Sequence, residues 1–130
     1  VFGEELMVEN TDSALAKTCA TLNCEILDYT VAPIFMEGKE KGAHEWIIEF
    51  KKYPDNIENF TELLDKNLQQ VNSDYEAKRF NNMTLNKLVL HVAKENLFYN
   101  WLKKNDKLGG QHKIPRLSNS RNYLEELLQS

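Results

Sequence analysis

A chain of 130 residues is long enough for one domain with one core. Its 42% hydrophobic content and mean hydropathy of −0.56 predict a soluble globular protein, and no apolar run approaches the roughly 18 residues needed to cross a bilayer. The formal net charge of −4 argues against a general nucleic-acid binder. That charge is uneven. Residues 1–60 hold five lysines against twelve acids, whereas residues 100–121 hold six basic residues against Asp106. Residues 1–10 contain no basic segment of the kind that opens a signal peptide, and Cys19 and Cys24 are too few for a disulfide framework. The expectation is a cytoplasmic chain with two reduced thiols, cut from a longer protein because it begins at Val1.

In chain order, Asn10 to Ser13 offers helix caps, and Leu15, Cys19 and Leu22 recur at helical spacing. Cys24 to Met36 is rich in β-formers, with Leu27, Tyr29, Val31, Pro33 and Phe35 alternating onto one face. Pro33 marks an edge or a bulge because it has no N–H to donate. After the polar loop from Glu37 to Gly42, His44, Trp46, Ile48 and Phe50 alternate again, so the two runs predict a hairpin. Asn56 caps a helix whose stripe is Ile57, Phe60, Leu63, Leu64, Leu68 and Val71. Leu88, Leu90 and Val92 predict a third strand. Leu97, Phe98, Trp101 and Leu102 predict a helix ended by Gly109 and Gly110, and Arg121 to Gln129 a short final helix. The fold class is therefore α+β: a small mixed or antiparallel sheet of about three strands, with helices packed on one apolar face.

Catalytic motifs are scarce. The sequence has no nucleophile elbow, no phosphate-binding glycine loop and no cysteine–histidine cluster with metal spacing, so no metal ligand is assigned. His44 falls on an apolar strand face and is expected in the core, whereas His91 is expected at the surface. His112 lies beside Lys113 in the segment Gly109 to Arg116, the most informative stretch of the chain. Pro115 holds Ile114 extended. A lysine at 113 can offer a point charge to phosphate, and Arg116 a forked contact to phosphate or carboxylate.

Gln111-His112-Lys113-Ile114-Pro115-Arg116 resembles the Gln-Tyr-Lys-Val/Thr-Pro-Arg segment of the auxin-responsive Gretchen Hagen family of acyl acid amido synthetases. Asn72 to Arg79 resembles that family's Asn-Ser-x-Tyr-x-x-x-Arg segment, and Phe2 to Leu6 resembles the stretch just past its interdomain hinge. The three matches keep the family's order and span nearly the whole chain, which looks closer to bacterial members than to plant ones. The resemblance implies that residues 1–130 form a single C-terminal lid domain, with an N-terminal domain that binds ATP, Mg²⁺ and the acid lying elsewhere in the parent protein. It implies a ligase that joins a carboxylic acid to an amino acid through an acyl-adenylate, with the isolated chain inactive. Lys113 is then the catalytic cation at the ATP phosphates, Arg116 and His112 share the nucleotide-binding loop, and Tyr75 and Arg79 are mainly structural. His112 stands where the family usually has Tyr. The expected partners are the chain's own N-terminal domain and the two substrates, with no nucleic acid and no membrane. The alternative from another class is a stand-alone α+β binding or regulatory module without catalysis.

Overall fold

A computed structural model of the chain describes residues 6–34, 42–80, 85–105 and 114–130. Its elements are α1 (Val8–Leu22), β1 (Glu25–Ile34), β2 (Ala43–Lys52), α2 (Ile57–Val71), α3 (Ser73–Arg79), β3 (Val89–Val92), α4 (Leu97–Lys104) and α5 (Asn122–Leu128). The strands form one mixed sheet in the order β1-β2-β3. β1 and β2 are antiparallel with Val31 opposite Trp46, and β3 runs parallel to β2 with Leu90 beside Trp46. Among the described residues no helix is long and apolar enough to cross a membrane.

Helix α1 begins at Val8, ahead of the cap residues the sequence offers at Asn10 to Ser13. Asn10 instead reaches back from inside the helix, its Oδ1 accepting from Met7 N–H at 2.9 Å. The helix ends where Asn23 turns left-handed (φ 54°), a conformation asparagine tolerates better than most residues. Helix α2 follows its sequence stripe closely. Asn56 caps it by accepting from Asn59 N–H at 3.0 Å, and Phe60, Leu64 and Leu68 are fully buried.

Both sheet faces are covered, where the sequence pattern predicted only one. On the first face Tyr29, Val31, Trp46, Ile48 and Phe50 pack with Leu15, Phe60, Leu64, Leu68 and Tyr75 of α1, α2 and α3. On the second, Ala32 and Ile47 pack with residues of α4 and α5, among them Phe98, Trp101, Leu124 and Leu127. The alternating set predicts one apolar face, yet Thr30, Ala32, Ile47 and Glu49 between its members are also buried. Leu27 departs the other way. A register shift between Ile26 and Asp28 turns it outward, and it is 59% exposed. Phe35, Met36 and Gly109-Gly110 lie outside the described residues. α4 ends at Lys104, where Asn105 N–H meets the Trp101 carbonyl at 3.0 Å.

Helix α3 has no counterpart in the sequence pattern, because Tyr75 alone of its residues is buried and one residue makes no stripe. Polar contacts hold it instead. The buried Asp65 carboxylate accepts from Tyr75 Oη (2.6 Å) and from Arg79 Nε (2.9 Å) and Nη2 (2.8 Å). Arg79 Nη1 also donates to the Leu85 carbonyl at 3.1 Å, tying α3 to the segment leading to β3. Burial and the adjacent Asp65 charge push the Tyr75 hydroxyl well above its ordinary pKa, so it stays a donor. His44 stacks on Tyr75 with ring centroids 5.9 Å apart, in the core position expected for it. A second buried carboxylate, Glu49, accepts from Asn96 N–H (3.0 Å) and Phe98 N–H (3.2 Å), placing negative charge at the start of α4.

Asp65→Ala strands the Arg79 guanidinium and removes the Tyr75 acceptor. It should cost about 3–5 kcal/mol of unfolding free energy, against under about 1 kcal/mol for Glu62→Ala, which breaks the exposed pair with Lys87. Urea titrations of the two variants check the difference.

Candidate functional site at the sheet edge

The segment from Ile114 to Ser118, the described part of the motif-bearing loop, is pinned to the outer edge of β1. Leu117 forms an isolated parallel bridge with Val31. Val31 N–H donates to the Arg116 carbonyl at 2.8 Å, and Ser118 N–H donates to the Val31 carbonyl at 3.0 Å. The buried Thr30 hydroxyl donates to the Pro115 carbonyl at 2.7 Å. Ile114 is buried with the α4 and α5 residues, so the chain enters this edge already anchored. Pro115, without an N–H, leaves no unpaired donor at this edge.

This anchoring sets the place of the Arg116 side chain. Its guanidinium lies 6.0 Å from the centroid of the Tyr29 ring, and Nη1 is 3.6 Å from Asp12 Oδ2. Tyr29 is itself fixed. Its ring stacks on Trp46 with centroids 5.6 Å apart, and its hydroxyl donates to Asp12 Oδ1 at 2.6 Å and lies 2.8 Å from Thr11 Oγ1. Burial first, then the bond to Asp12, pushes the Tyr29 hydroxyl far above its ordinary pKa, so it remains protonated. Arg116 borders an open groove of about 670 Å³, with Val8, Leu27 and Leu102 among its apolar walls and Asp28 beside them. The sequence read Asp12 only as a cap candidate and Tyr29 only as a core residue. Their meeting with Arg116 depends on the return of residues 114–118 to β1, which no local pattern signals.

Of the three residues the sequence nominates, Arg116 is placed at this groove, and Lys113 and His112 lie outside the described residues. Arg116 brings a guanidinium to the groove's rim, beside the acidic Asp12 and Asp28. Among the described residues no three His, Cys, Asp or Glu side chains converge as a metal cage, so none is assigned to Mg²⁺. Cys19 and Cys24 are free thiols. Burial, followed by the hydrogen bond to Cys24, pushes Cys19 up to about 12, and burial also raises Cys24, so neither is an activated nucleophile.

A second polar cluster lies on the α4/α5 side of the sheet. Glu45 accepts from Arg121 Nη2 at 2.8 Å, and its other oxygen is 2.6 Å from His91 Nε2. Arg121 Nη1 also donates to the Pro33 carbonyl at 2.8 Å, so the start of α5 is bound to β1 and β2 together. His91 is 37% exposed, in keeping with its expected surface place, but it is engaged rather than idle.

The sequence model of the GH3 family C-terminal domain matches residues 9–122. The chain belongs to the GH3 family C-terminal domains. Its fold is also that of solved GH3 proteins. A structure of GH3.15 acyl acid amido synthetase matches with a TM-score of 0.70 at 18% identity, covering 94% of this chain and 23% of that one. AtGH3.15 acyl acid amido synthetase in complex with 2,4-DB matches with a TM-score of 0.66 at 15% identity, covering 94% and 22%. The chain thus spans under a quarter of the length of these relatives, and identities this low establish the shared fold alone. No curated protein matches the chain in sequence.

Two outcomes test the geometry of this GH3 domain. Thr30→Val leaves the Pro115 carbonyl without its donor. It should cost about 1–2 kcal/mol and speed hydrogen exchange at the Val31 and Ser118 amides, read by NMR. The Glu45 carboxyl feels burial, which raises its pKa, but the bonds and charges of Arg121 and His91 outweigh it and hold the group below its ordinary value. A carboxyl lowered on folding stabilises above its unfolded value of about 4.3, and that contribution is lost as pH falls through the folded value. Glu45→Gln should therefore flatten the stability–pH curve below about pH 5, measured as urea midpoints across acid pH.

Proposed function

We propose that this chain is the mobile C-terminal domain of an ATP-dependent acyl-adenylating amide synthetase, which conjugates a carboxylic acid to an amino acid. The observation that carries the proposal is the family match over residues 9–122, joined to the placement of Arg116 beside an open groove. ATP and Mg²⁺ belong mainly to an N-terminal domain of the parent protein, which is also this chain's partner. ATP supplies the activated leaving group that a carboxylate lacks.

The chain's own part is electrostatic. Lys113 is the cation that meets charge developing on the phosphates. Arg116 supports it from the sheet edge with a donor set suited to phosphate oxygens, and His112 completes the loop. Closing such a lid over the reacting groups excludes water that would otherwise hydrolyse an activated acid.

The test is ATP–pyrophosphate exchange by the full-length parent protein over a panel of carboxylic acids. Acid-dependent exchange is expected, and Lys113→Ala should lower its turnover by roughly 10²–10³-fold. Undiminished exchange in that variant removes the lysine from the reaction. Absence of exchange with every acid turns the assignment toward a binding module.

A further inference from the structure

The two oxygens of Asp12 are divided between two partners. Oδ1 takes the Tyr29 hydroxyl at 2.6 Å, a bond that a neutral amide oxygen can also accept. Oδ2 faces Arg116 Nη1 at 3.6 Å. That second contact differs from the other arginine–carboxylate pairs described. Arg79–Asp65 and Arg121–Glu45 close to 2.8 Å and are largely buried, whereas Arg116 and Asp12 are about half exposed, at 54% and 47%. Charge-assisted bonds normally run about 2.7–2.9 Å, so the Asp12–Arg116 pair is loose. Exposed pairs are also weak, typically about 0–1 kcal/mol, so exchanging the partner costs little. The guanidinium itself is held in place by other means: the backbone bonds of Pro115 and Arg116 to β1, and the Tyr29 ring beneath it.

We infer that Asp12 is an exchangeable counter-ion, which occupies Arg116 in the ligand-free domain and yields it to a phosphate or pyrophosphate entering the adjoining groove. Asp12 takes this role only if Arg116 meets phosphate as proposed above, and it then acts as a positioning residue through Arg116. The Tyr29 hydroxyl keeps the competition weak, because it holds Oδ1 and leaves a single oxygen for the guanidinium. The domain thereby keeps its cation oriented and neutralised when empty, with an anion affinity set by a residue that need not touch the ligand.

The experiment titrates the ¹⁵N-labelled 130-residue chain with inorganic pyrophosphate and follows the Arg116 Nε–Hε signal. Saturable shifts are expected, and Arg116→Gln should abolish binding. Asp12→Asn keeps the Tyr29 acceptor and removes the charge, so pyrophosphate should bind about two- to fivefold more tightly. That gain should shrink in about 1 M salt, where the screening length falls to about 3 Å. Tyr29→Phe releases Oδ1 and should shift affinity the other way. A poorly folded variant weakens binding, so tightening in Asp12→Asn cannot come from structural damage. Equal or weaker binding in Asp12→Asn, or a shift of both variants in the same direction, overturns the counter-ion role while the Arg116 phosphate contact stands. Binding that survives Arg116→Gln, or no binding by the parent chain, overturns that contact and the counter-ion role with it.

Discussion

A central strand with buried side chains on both faces needs cover on both, and β2 imposes that requirement on the rest of the domain. Its antiparallel partner β1 arrives by a short connection, whereas its parallel partner β3 is reached only after α2 and α3. Trp46, Ile48 and Phe50 draw α1 and α2 onto one side, and Ile47 draws α4 and α5 onto the other. The two cores are therefore halves of one constraint. The candidate site lies on the far edge of β1, where backbone bonds to Val31, the buried Ile114 and the stacked Tyr29 together position Arg116.

Burial of this kind leaves polar groups in awkward places, and the domain meets each with a specific partner. The Thr18 hydroxyl in α1 donates to the Ala14 carbonyl and accepts from Asn67 of α2, a polar tie inside the helix–helix contact. Asp65 gathers Tyr75 and Arg79, Glu49 meets the start of α4, and Glu45 meets Arg121 and His91. Each such carboxylate joins elements that apolar packing alone would let slide. Asp12 differs in being half exposed: Tyr29 holds one of its oxygens, while the other is only loosely paired with Arg116, which lines the groove.

What the sequence could reveal follows from which contacts are local. The α2 stripe, its Asn56 cap and the strands around Trp46 were legible because periodicity and capping act within a few residues. Helix α3 was not, since its stability comes from Asp65, ten and fourteen positions before Tyr75 and Arg79. The outward turn of Leu27 depends on a register shift against β2, and the start of α1 on a side chain inside the helix. At the site, residue types and spacing in the Gly109 to Arg116 stretch pointed to Arg116, while Asp12 and Tyr29 carry no sequence mark that distinguishes a cap or a core tyrosine from a partner of that arginine.

The bridge between Val31 and Leu117 joins positions 86 residues apart, and that separation bears on how the domain is made. Until residues 114–118 leave the ribosome, β1 has β2 on one side and an open row of backbone donors and acceptors on the other. An open strand edge is a template for another chain. The stretch that orients Arg116 is thus also the late-arriving cover of this edge at Val31, so a chain interrupted before it would leave those backbone groups open as well as the site incomplete.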